Sequence, residues 1–252
     1  MFPFFNNIPP VTKNILILNI LFYLATVVLL QRGINLIEIL GAHYLNSPLF
    51  APFQVITHFF MHSPDIFHIL FNMLMLVMFG SHLERIWGGK RFFIFYLSSA
   101  IGAFALYNGI GVFQIMKIKQ ELISLGYDIT QLNEDLIKGN FEKVMYYTPE
   151  GLELIKEYAI KIVTPMVGAS GAIFGIMAAF AFLFPNTQLM LLFPPIPIKA
   201  KYLIGAYFVF ELFASFQNRA GDNVAHLAHV GGAIVGFALV FYWNKKNRDH
   251  FY

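Results

Sequence analysis

The stretch V-G-A-S-G-A-I-F-G-I-M-A-A-F-A-F-L-F, residues 167–184, carries no charged side chain. Its length and composition are typical of a helix that crosses a lipid bilayer, which needs about 20 apolar residues. Ser170 is the one polar side chain in the stretch, and it lies close to the start. The stretch therefore predicts a membrane helix with a single hydroxyl group near one end.

The rest of the chain has the composition of a membrane protein. Of its 252 residues, 58% are hydrophobic and 12% are charged, whereas about 25% of the residues of a soluble domain are charged. The net charge of +3 is too small and too scattered to favour nucleic acid. The chain has no cysteine, which excludes disulfides and thiolate ligands. We expect an all-α polytopic protein that contacts the lipid bilayer, with no nucleic acid, no metal and no cofactor.

Apolar segments of membrane-spanning length recur along the chain. Lipid offers backbone groups no hydrogen-bond partner, so each segment is expected to be helical. The second and the fifth segments are short for a full crossing. The predicted spans are Asn14–Gln31, Ile66–Leu83, Phe92–Phe113, Val167–Phe184, Tyr202–Phe216 and Val224–Trp243. Together they predict a six-helix transmembrane bundle.

Lysine and arginine predict the orientation of this bundle. The connections on one side are rich in both residues, whereas the short connections on the other side hold only Arg32 and Arg219. Positively charged connections stay in the cytoplasm, so we expect a multi-pass protein of the inner cell membrane with both termini cytoplasmic. Residues 114–161 hold both lysines and acidic residues and weaken this count. We interpret them as a polar amphipathic insertion between the third and fourth helices of a single membrane domain, residues 1–252.

Polar residues gather at the starts of the second, fourth and sixth segments. In the predicted orientation these segments run in the same direction, so their first residues share one depth, where polar groups usually mark function. Ser170 lies in G-A-S-G, residues 168–171. Its flanking glycines allow a tight turn, and amides at a helix start can stabilise negative charge. The alternative is a small-residue packing face through Gly171 and Gly175.

The sixth segment begins with H-L-A-H-V-G-G, residues 226–232. His229, Gly232 and Gly236 share one helix face, and glycines on that face allow a close approach to a neighbouring helix. If the neighbour is the fourth helix, His229 meets Ser170 and can accept its hydroxyl proton as a general base. A hydrogen bond to a loop carbonyl is the alternative for His229, and it is the favoured interpretation of His226.

The second segment begins with His68 and Asn72, whose i,i+4 spacing puts both side chains on one face. Both side chains can donate hydrogen bonds, which suits the stabilisation of an oxyanion. Polar contacts between helices are the alternative. In the fifth segment, Glu211 has no evident partner, and we expect it to face the bundle interior or a wet cavity.

Taken together, these motifs resemble those of the rhomboid intramembrane serine proteases. G-A-S-G-A-I-F-G resembles the nucleophile segment GxSGxxxG of that family, and H-I-L-F-N resembles its HxxxN pair. The spacing of His229, Gly232 and Gly236 matches the histidine helix of the family. The sequence departs from many relatives at Phe53-Gln54, where they carry Trp-Arg, so this loop is not expected to make the contacts usual in the family.

The resemblance implies an intramembrane serine endopeptidase that cleaves transmembrane segments of other membrane proteins. By this resemblance, Ser170 is the nucleophile, and His229 is the general base of a dyad without a third carboxylate. His68 and Asn72 would hold the oxyanion together with the Ser170 amide, and Phe174 would stack on the histidine.

Three other functions compete with this one. A non-catalytic rhomboid-like protein that binds client transmembrane helices would be expected to lack the serine or the histidine, and both are present. A haem protein with two histidine ligands would leave the G-A-S-G and HxxxN motifs without a role. A zinc protease is disfavoured because the sequence contains no HExxH motif.

Overall fold

The structure is a computed structural model that describes residues 7–140, 149–190, 195–216 and 225–246. These residues form helices joined by mostly short connections, together with one small antiparallel hairpin in which Leu189 pairs with Ile198. Two short helices, Leu36–Leu40 and Gln54–Thr57, lie in the connection between the first two long helices, and a 3₁₀ turn, His58–Phe60, follows the second of them. The elements are α1 (Pro10–Leu30), α2 (Leu36–Leu40), α3 (Gln54–Thr57), α4 (Ile66–Trp87, with a π-helical turn at Leu76–Gly80), α5 (Gly89–Ser124), α6 (Ile129–Ile137), α7 (Pro149–Val163), α8 (Ser170–Leu183), β1 (Gln188–Met190), β2 (Pro197–Lys199), α9 (Ala200–Ala214) and α10 (His226–Lys246).

The predicted all-α membrane architecture is confirmed. Within the described residues, α1, α4, α5 and α10 are long and apolar enough to cross a membrane. Two shorter helices pack with them: α8 has 14 residues and α9 has 15. Each of the six predicted spans coincides with one of these helices, although Val224, where the last one was expected to begin, lies outside the described residues.

The lengths of two helices differ from the prediction. The second span was expected to be short, but α4 has 22 residues. The helix continues through Glu84 and ends at Trp87, because Gly88 has a φ of 77°. The fourth span was expected to begin at Val167, but α8 begins at Ser170. Gly168 has a φ of 121°, which is incompatible with a helix, so the chain turns there.

The third helix extends into the stretch predicted to be an insertion. α5 continues beyond Phe113 to Ser124 because apolar residues, among them Ile115, Ile118 and Leu122, remain on one helical face. That face packs against α6 and α7 in a separate apolar cluster. The polar stretch is therefore largely helical and has a small core of its own, with residues 141–148 outside the described part.

The start of α1 is capped by a residue from another helix. Buried Glu84 of α4 accepts hydrogen bonds from the amides of Val11 and Thr12, at 2.9 and 2.7 Å, and from the Thr12 hydroxyl at 2.7 Å. The first amides of a helix have no partner within it, and α1 has no side-chain cap at its own N-terminus. The carboxylate therefore satisfies α1 and holds its start against the end of α4.

Backbone contact joins α8 to α10. A Cβ atom added at Gly232 would lie 1.8 Å from the carbonyl oxygen of Gly171, and one added at Gly236 would lie 2.5 Å from the Cα of Gly175. Only glycine allows two helices to approach this closely. This contact fixes the axial position of α10 relative to α8, and hence how their first turns are aligned.

Candidate active site

Ser170 and His229 meet at the starts of α8 and α10. Ser170 is the first residue of α8, and His229 is the fourth residue of α10. Ser170 Oγ lies 2.7 Å from His229 Nε2, within hydrogen-bond distance. The ring of Phe174 stacks on His229, with centroids 4.4 Å apart and planes 10° apart. The imidazole is therefore held between a hydroxyl group and an aromatic face.

Two backbone contacts hold the segment that leads into Ser170. Met166 and Ala42 exchange backbone hydrogen bonds of 2.8 and 2.9 Å, and the Gly168 amide donates to the His58 carbonyl at 3.0 Å. The chain then turns through Gly168 and enters α8. These contacts set the position of the serine from the loop side, independently of α10.

Gln54 organises the loop that makes these contacts. Its side chain is buried and accepts from the amides of His43 and Ala51 at 3.3 and 3.1 Å. The same side chain donates to the carbonyls of Ile39 and Leu49 at 3.2 and 3.1 Å. Gln54 thus ties this loop together.

His68 presents a ring nitrogen to the same site. Its Nδ1 accepts from the Ser63 amide at 3.3 Å and lies 2.9 Å from the Ser63 hydroxyl. Because an amide can only donate, Nδ1 is the acceptor, and the neutral ring carries its hydrogen on Nε2. The position that a Cβ of Gly168 would occupy is 3.1 Å from this Nε2 and 3.4 Å from Ser170 Oγ. An N–H donor and a hydroxyl group therefore flank one small space.

Asn72 lies one turn further along α4. It is 8% exposed and lines the same groove as His68 and Ser170. Its side-chain amide donates to the His68 carbonyl at 2.7 Å. Because this bond is internal to the helix, the structure brings Asn72 beside the site with one of its donors already engaged.

Two further histidines support the loop beneath the site. His58 Nδ1 donates to the Gln54 carbonyl at 2.8 Å, and the ring of His62 lies against His68, with centroids 5.1 Å apart. Burial lowers the pKa of His58 to about 4 and the pKa of His62 to about 3, the latter with a smaller contribution from His68. Both rings are therefore neutral near pH 7.

Glu211 of α9 reaches the two histidines of α10. Its Oε2 lies 2.6 Å from His226 Nδ1 and 2.8 Å from His229 Nδ1, and the residue is 2% exposed. An acidic residue in an apolar segment is a signal that sequence can give. Its burial confirms the expectation that it faces the bundle interior, whereas the sequence did not identify its two histidine partners.

A groove opens above these residues between α4 and α9. It encloses about 1640 Å³, and Ser170 and His229 lie among its lining residues. Aromatic residues of both helices line it, and Phe67 of α4 and Phe210 of α9 remain 58% and 60% exposed. The space is larger than the roughly 300–1,000 Å³ typical of a small-molecule pocket.

The sequence of this chain matches a known protein family. Residues 50–126 and 136–246 match the model of the Rhomboid domain, which covers well over half of the chain. The chain is also 27% identical, over 186 residues, to Rhomboid protein 1, mitochondrial, of Saccharomyces cerevisiae. That alignment covers 72% of this chain but 39% of the yeast protein, so the chain spans about two fifths of the length of this relative. The match to the Rhomboid domain includes α4, α8, α9 and α10, and this chain belongs to the rhomboid family of multi-pass membrane proteins.

Proposed function

We propose that this protein is an intramembrane serine endopeptidase that cleaves transmembrane segments of other membrane proteins. The observation that carries the proposal is the 2.7 Å contact between Ser170 Oγ and His229 Nε2. A hydroxyl group within hydrogen-bond reach of an imidazole is the arrangement by which a base activates a serine nucleophile. Membership of the rhomboid family is consistent with this chemistry.

In the proposed reaction, Ser170 Oγ attacks the scissile carbonyl carbon while its proton passes to His229 Nε2. The carbonyl oxygen becomes an oxyanion in the space beside Gly168, where His68 Nε2–H and the Ser170 amide donate to it. His229 then gives its proton to the leaving amine, and an acyl-enzyme remains. Water, deprotonated by His229, attacks the ester and releases the second product and Ser170.

The groove supports a peptide as the substrate. Its volume of about 1640 Å³ accommodates several residues of extended chain, and its walls are largely apolar. A helix keeps its carbonyls in hydrogen bonds, so a transmembrane substrate must unwind before Ser170 can attack. The short helix α9, which forms one wall, is the element that we expect to move when a substrate enters.

The proposal includes a location in the membrane. The distribution of lysine and arginine favours an inner-membrane protein with cytoplasmic termini, so the site would face the opposite compartment. Because the chain has no cysteine, a single cysteine introduced at Lys90 or at Arg32 can be tested with a membrane-impermeant thiol reagent. The reagent added to intact cells should label the variant at Arg32 and spare the variant at Lys90.

A labelling experiment tests the chemistry. The purified protein in detergent is treated with a fluorophosphonate, which reacts with activated serines, in parallel with Ser170→Ala and His229→Ala. We expect labelling of the unmodified protein alone, together with cleavage of a generic single-span substrate. Equal labelling of all three proteins would refute the assignment. Binding of the single-span protein without cleavage would instead identify a non-catalytic protein that holds client helices.

A further inference from the structure

The dyad does not account for a third titratable group beside it. Glu211 is almost completely buried, yet its Oε2 lies 2.8 Å from His229 Nδ1, on the opposite side of the ring from Ser170. A buried carboxylate is unfavourable unless hydrogen bonds compensate it. Here His226 Nδ1, at 2.6 Å, supplies a second donor to the same oxygen. The carboxylate oxygen Oε2 is therefore held by two imidazoles.

This contact determines which nitrogen of His229 carries the proton. A carboxylate accepts and cannot donate, so Nδ1–H of His229 points at Glu211. In the neutral ring, Nε2 is then the acceptor, and it is the nitrogen that faces the Ser170 hydroxyl. Ser170, His229 and Glu211 thus form a continuous chain in which the base has the tautomer that it needs.

We propose that Glu211 is a positioning residue that converts the dyad of this protein into a Ser170–His229–Glu211 triad, an inference that rests on the proposed protease function. The carboxylate holds the orientation and tautomer of His229. It also offsets the positive charge that the imidazole acquires when Ser170 attacks. His226 holds the carboxylate from the other side, so His226 acts through Glu211 and does not contact the reacting atoms.

The groups around Glu211 define its electrostatic environment. His226 and His229 face it from α10, and Tyr207 interacts with it from one turn earlier in α9. Phe174 of α8 lies between Tyr207 and His229 and contributes no charge. From α4, His68 interacts electrostatically with His229.

A metal ion is the competing interpretation of the same three side chains. One ligand atom from each of Glu211, His226 and His229 lies within 4.8 Å of the others. Ligands at about 2.0–2.2 Å from a tetrahedral zinc ion would lie about 3.3 Å apart, whereas the two contacts here are 2.6 and 2.8 Å. The spacing favours direct hydrogen bonds, and the metal becomes an outcome of the test.

The test compares Glu211→Gln and Glu211→Asp with the unmodified protein, using cleavage of a single-span substrate in detergent. Replacing the triad carboxylate of a serine protease by an amide lowers kcat about 10⁴-fold, because the amide favours the wrong tautomer of the histidine. We therefore expect kcat of Glu211→Gln to fall by at least about 100-fold with KM nearly unchanged. Glu211→Asp, which keeps the carboxylate, should recover part of kcat.

Controls distinguish a triad from a misfolded variant and from a metal site. Ser215→Ala, at the residue that follows α9, should match the unmodified protein. Thermal unfolding verifies that each variant folds, and if Glu211→Gln does not fold, the kcat and KM of Glu211→Asp decide: a lowered kcat with an unchanged KM supports the triad, and an unchanged kcat refutes it. An unmodified protein that cleaves nothing would refute the protease function itself. An active protein whose Glu211→Gln variant keeps its kcat would refute only the triad. Activity that is abolished by a chelator and restored by zinc would assign the cluster to a metal instead.

Discussion

Replacing Gly232 by alanine tests whether backbone contact between α8 and α10 sets the geometry of the site. The added Cβ would lie 1.8 Å from the carbonyl oxygen of Gly171. A carbon and a carbonyl oxygen approach no closer than about 3.3 Å without repulsion, so the backbones must separate locally by about 1.5 Å. Neither partner is a flexible side chain that could turn aside.

The displacement falls one turn from the reacting pair. If α10 moves as a rigid element, the Ser170 Oγ–His229 Nε2 distance rises from 2.7 Å to about 4 Å, beyond the range of a hydrogen bond. A misplacement of about 1 Å in a reacting group lowers rates about 100-fold. Overpacking also destabilises a protein by about 1–3 kcal/mol. We therefore expect the rate of fluorophosphonate labelling to fall about 100-fold in protein that remains folded.

Two other glycines provide the comparison. Gly205→Ala, in α9, adds the same methyl group where nothing lies within 4 Å and should leave labelling unchanged. Gly236→Ala separates the same helices one turn further from His229, and its effect should be intermediate. Labelling is measured against time, with thermal unfolding to establish the folded fraction. A Gly232→Ala protein that labels at the unmodified rate would show that α10 can shift without moving His229.

Three further predictions concern the oxyanion site, the loop and the substrate. Asn72→Ala should lower turnover about tenfold, because one donor of the Asn72 amide is already bonded to the His68 carbonyl; loss of a dedicated oxyanion donor lowers turnover by roughly 100–1,000-fold. His68→Ala should lower turnover more than Asn72→Ala does, and the reverse order would contradict this assignment. His58 and His62 have pKa values of about 4 and about 3 against 6.5 for an unperturbed histidine. As the pH falls below 6.5, the unfolded chain therefore binds protons at these two histidines and the folded protein does not. The stability of the folded protein decreases progressively until the pH reaches the lower pKa values of the folded state. From about pH 7.5 to about pH 5 each histidine contributes a loss of about 2 kcal/mol, so the unfolding temperature should fall, and by less in His62→Gln; an unchanged temperature would contradict the burial of both rings. Finally, cleavage should occur near the outer membrane boundary of the substrate and should weaken when its Gly and Pro residues are replaced by Leu, because these residues destabilise a helix; mass spectrometry of the product termini would expose cuts at the cytoplasmic boundary.

The membrane helices could be predicted from sequence because length and apolar composition determine them almost directly. The ends of the helices were harder to predict from sequence. The start of α8 depends on Gly168, whose φ of 121° breaks the helix although the residues on either side are apolar. The end of α5 depends on Ile118 and Leu122, which extend the helix beyond the lipid-like segment to pack against α6 and α7. Hydropathy alone does not distinguish such an extension from a loop.

The meeting of Ser170 and His229 could also be predicted, because the spacing of His229, Gly232 and Gly236 indicates both a face and a close neighbour. The partners of Glu211 could not, although the expectation that this residue faces the bundle interior is confirmed. The apolar residues of α9 are spread around the helix, and exposed side chains such as Phe210 and Phe213 alternate with buried Glu211. Where the surrounding solvent is lipid, apolar residues no longer indicate which face is inside. The partner of the single acidic residue therefore becomes visible only in the folded chain.

The position of the site at the starts of α8 and α10 is consistent with the proposed hydrolysis in lipid. Further along these helices, glycine contacts bring the backbones together and leave no room for a substrate or for water. At the first turns, the helix amides have no partner within the helix and can face the groove, where Ser170 and His229 lie. A carboxylate at this level lies in apolar surroundings, where its attraction to a charged imidazole is screened less than in water. The close packing of α8 and α10 excludes water below the site and thus strengthens the attraction between Glu211 and His229. The packing and this attraction both depend on the axial position of α10 against α8, which the contact between Gly232 and Gly171 sets.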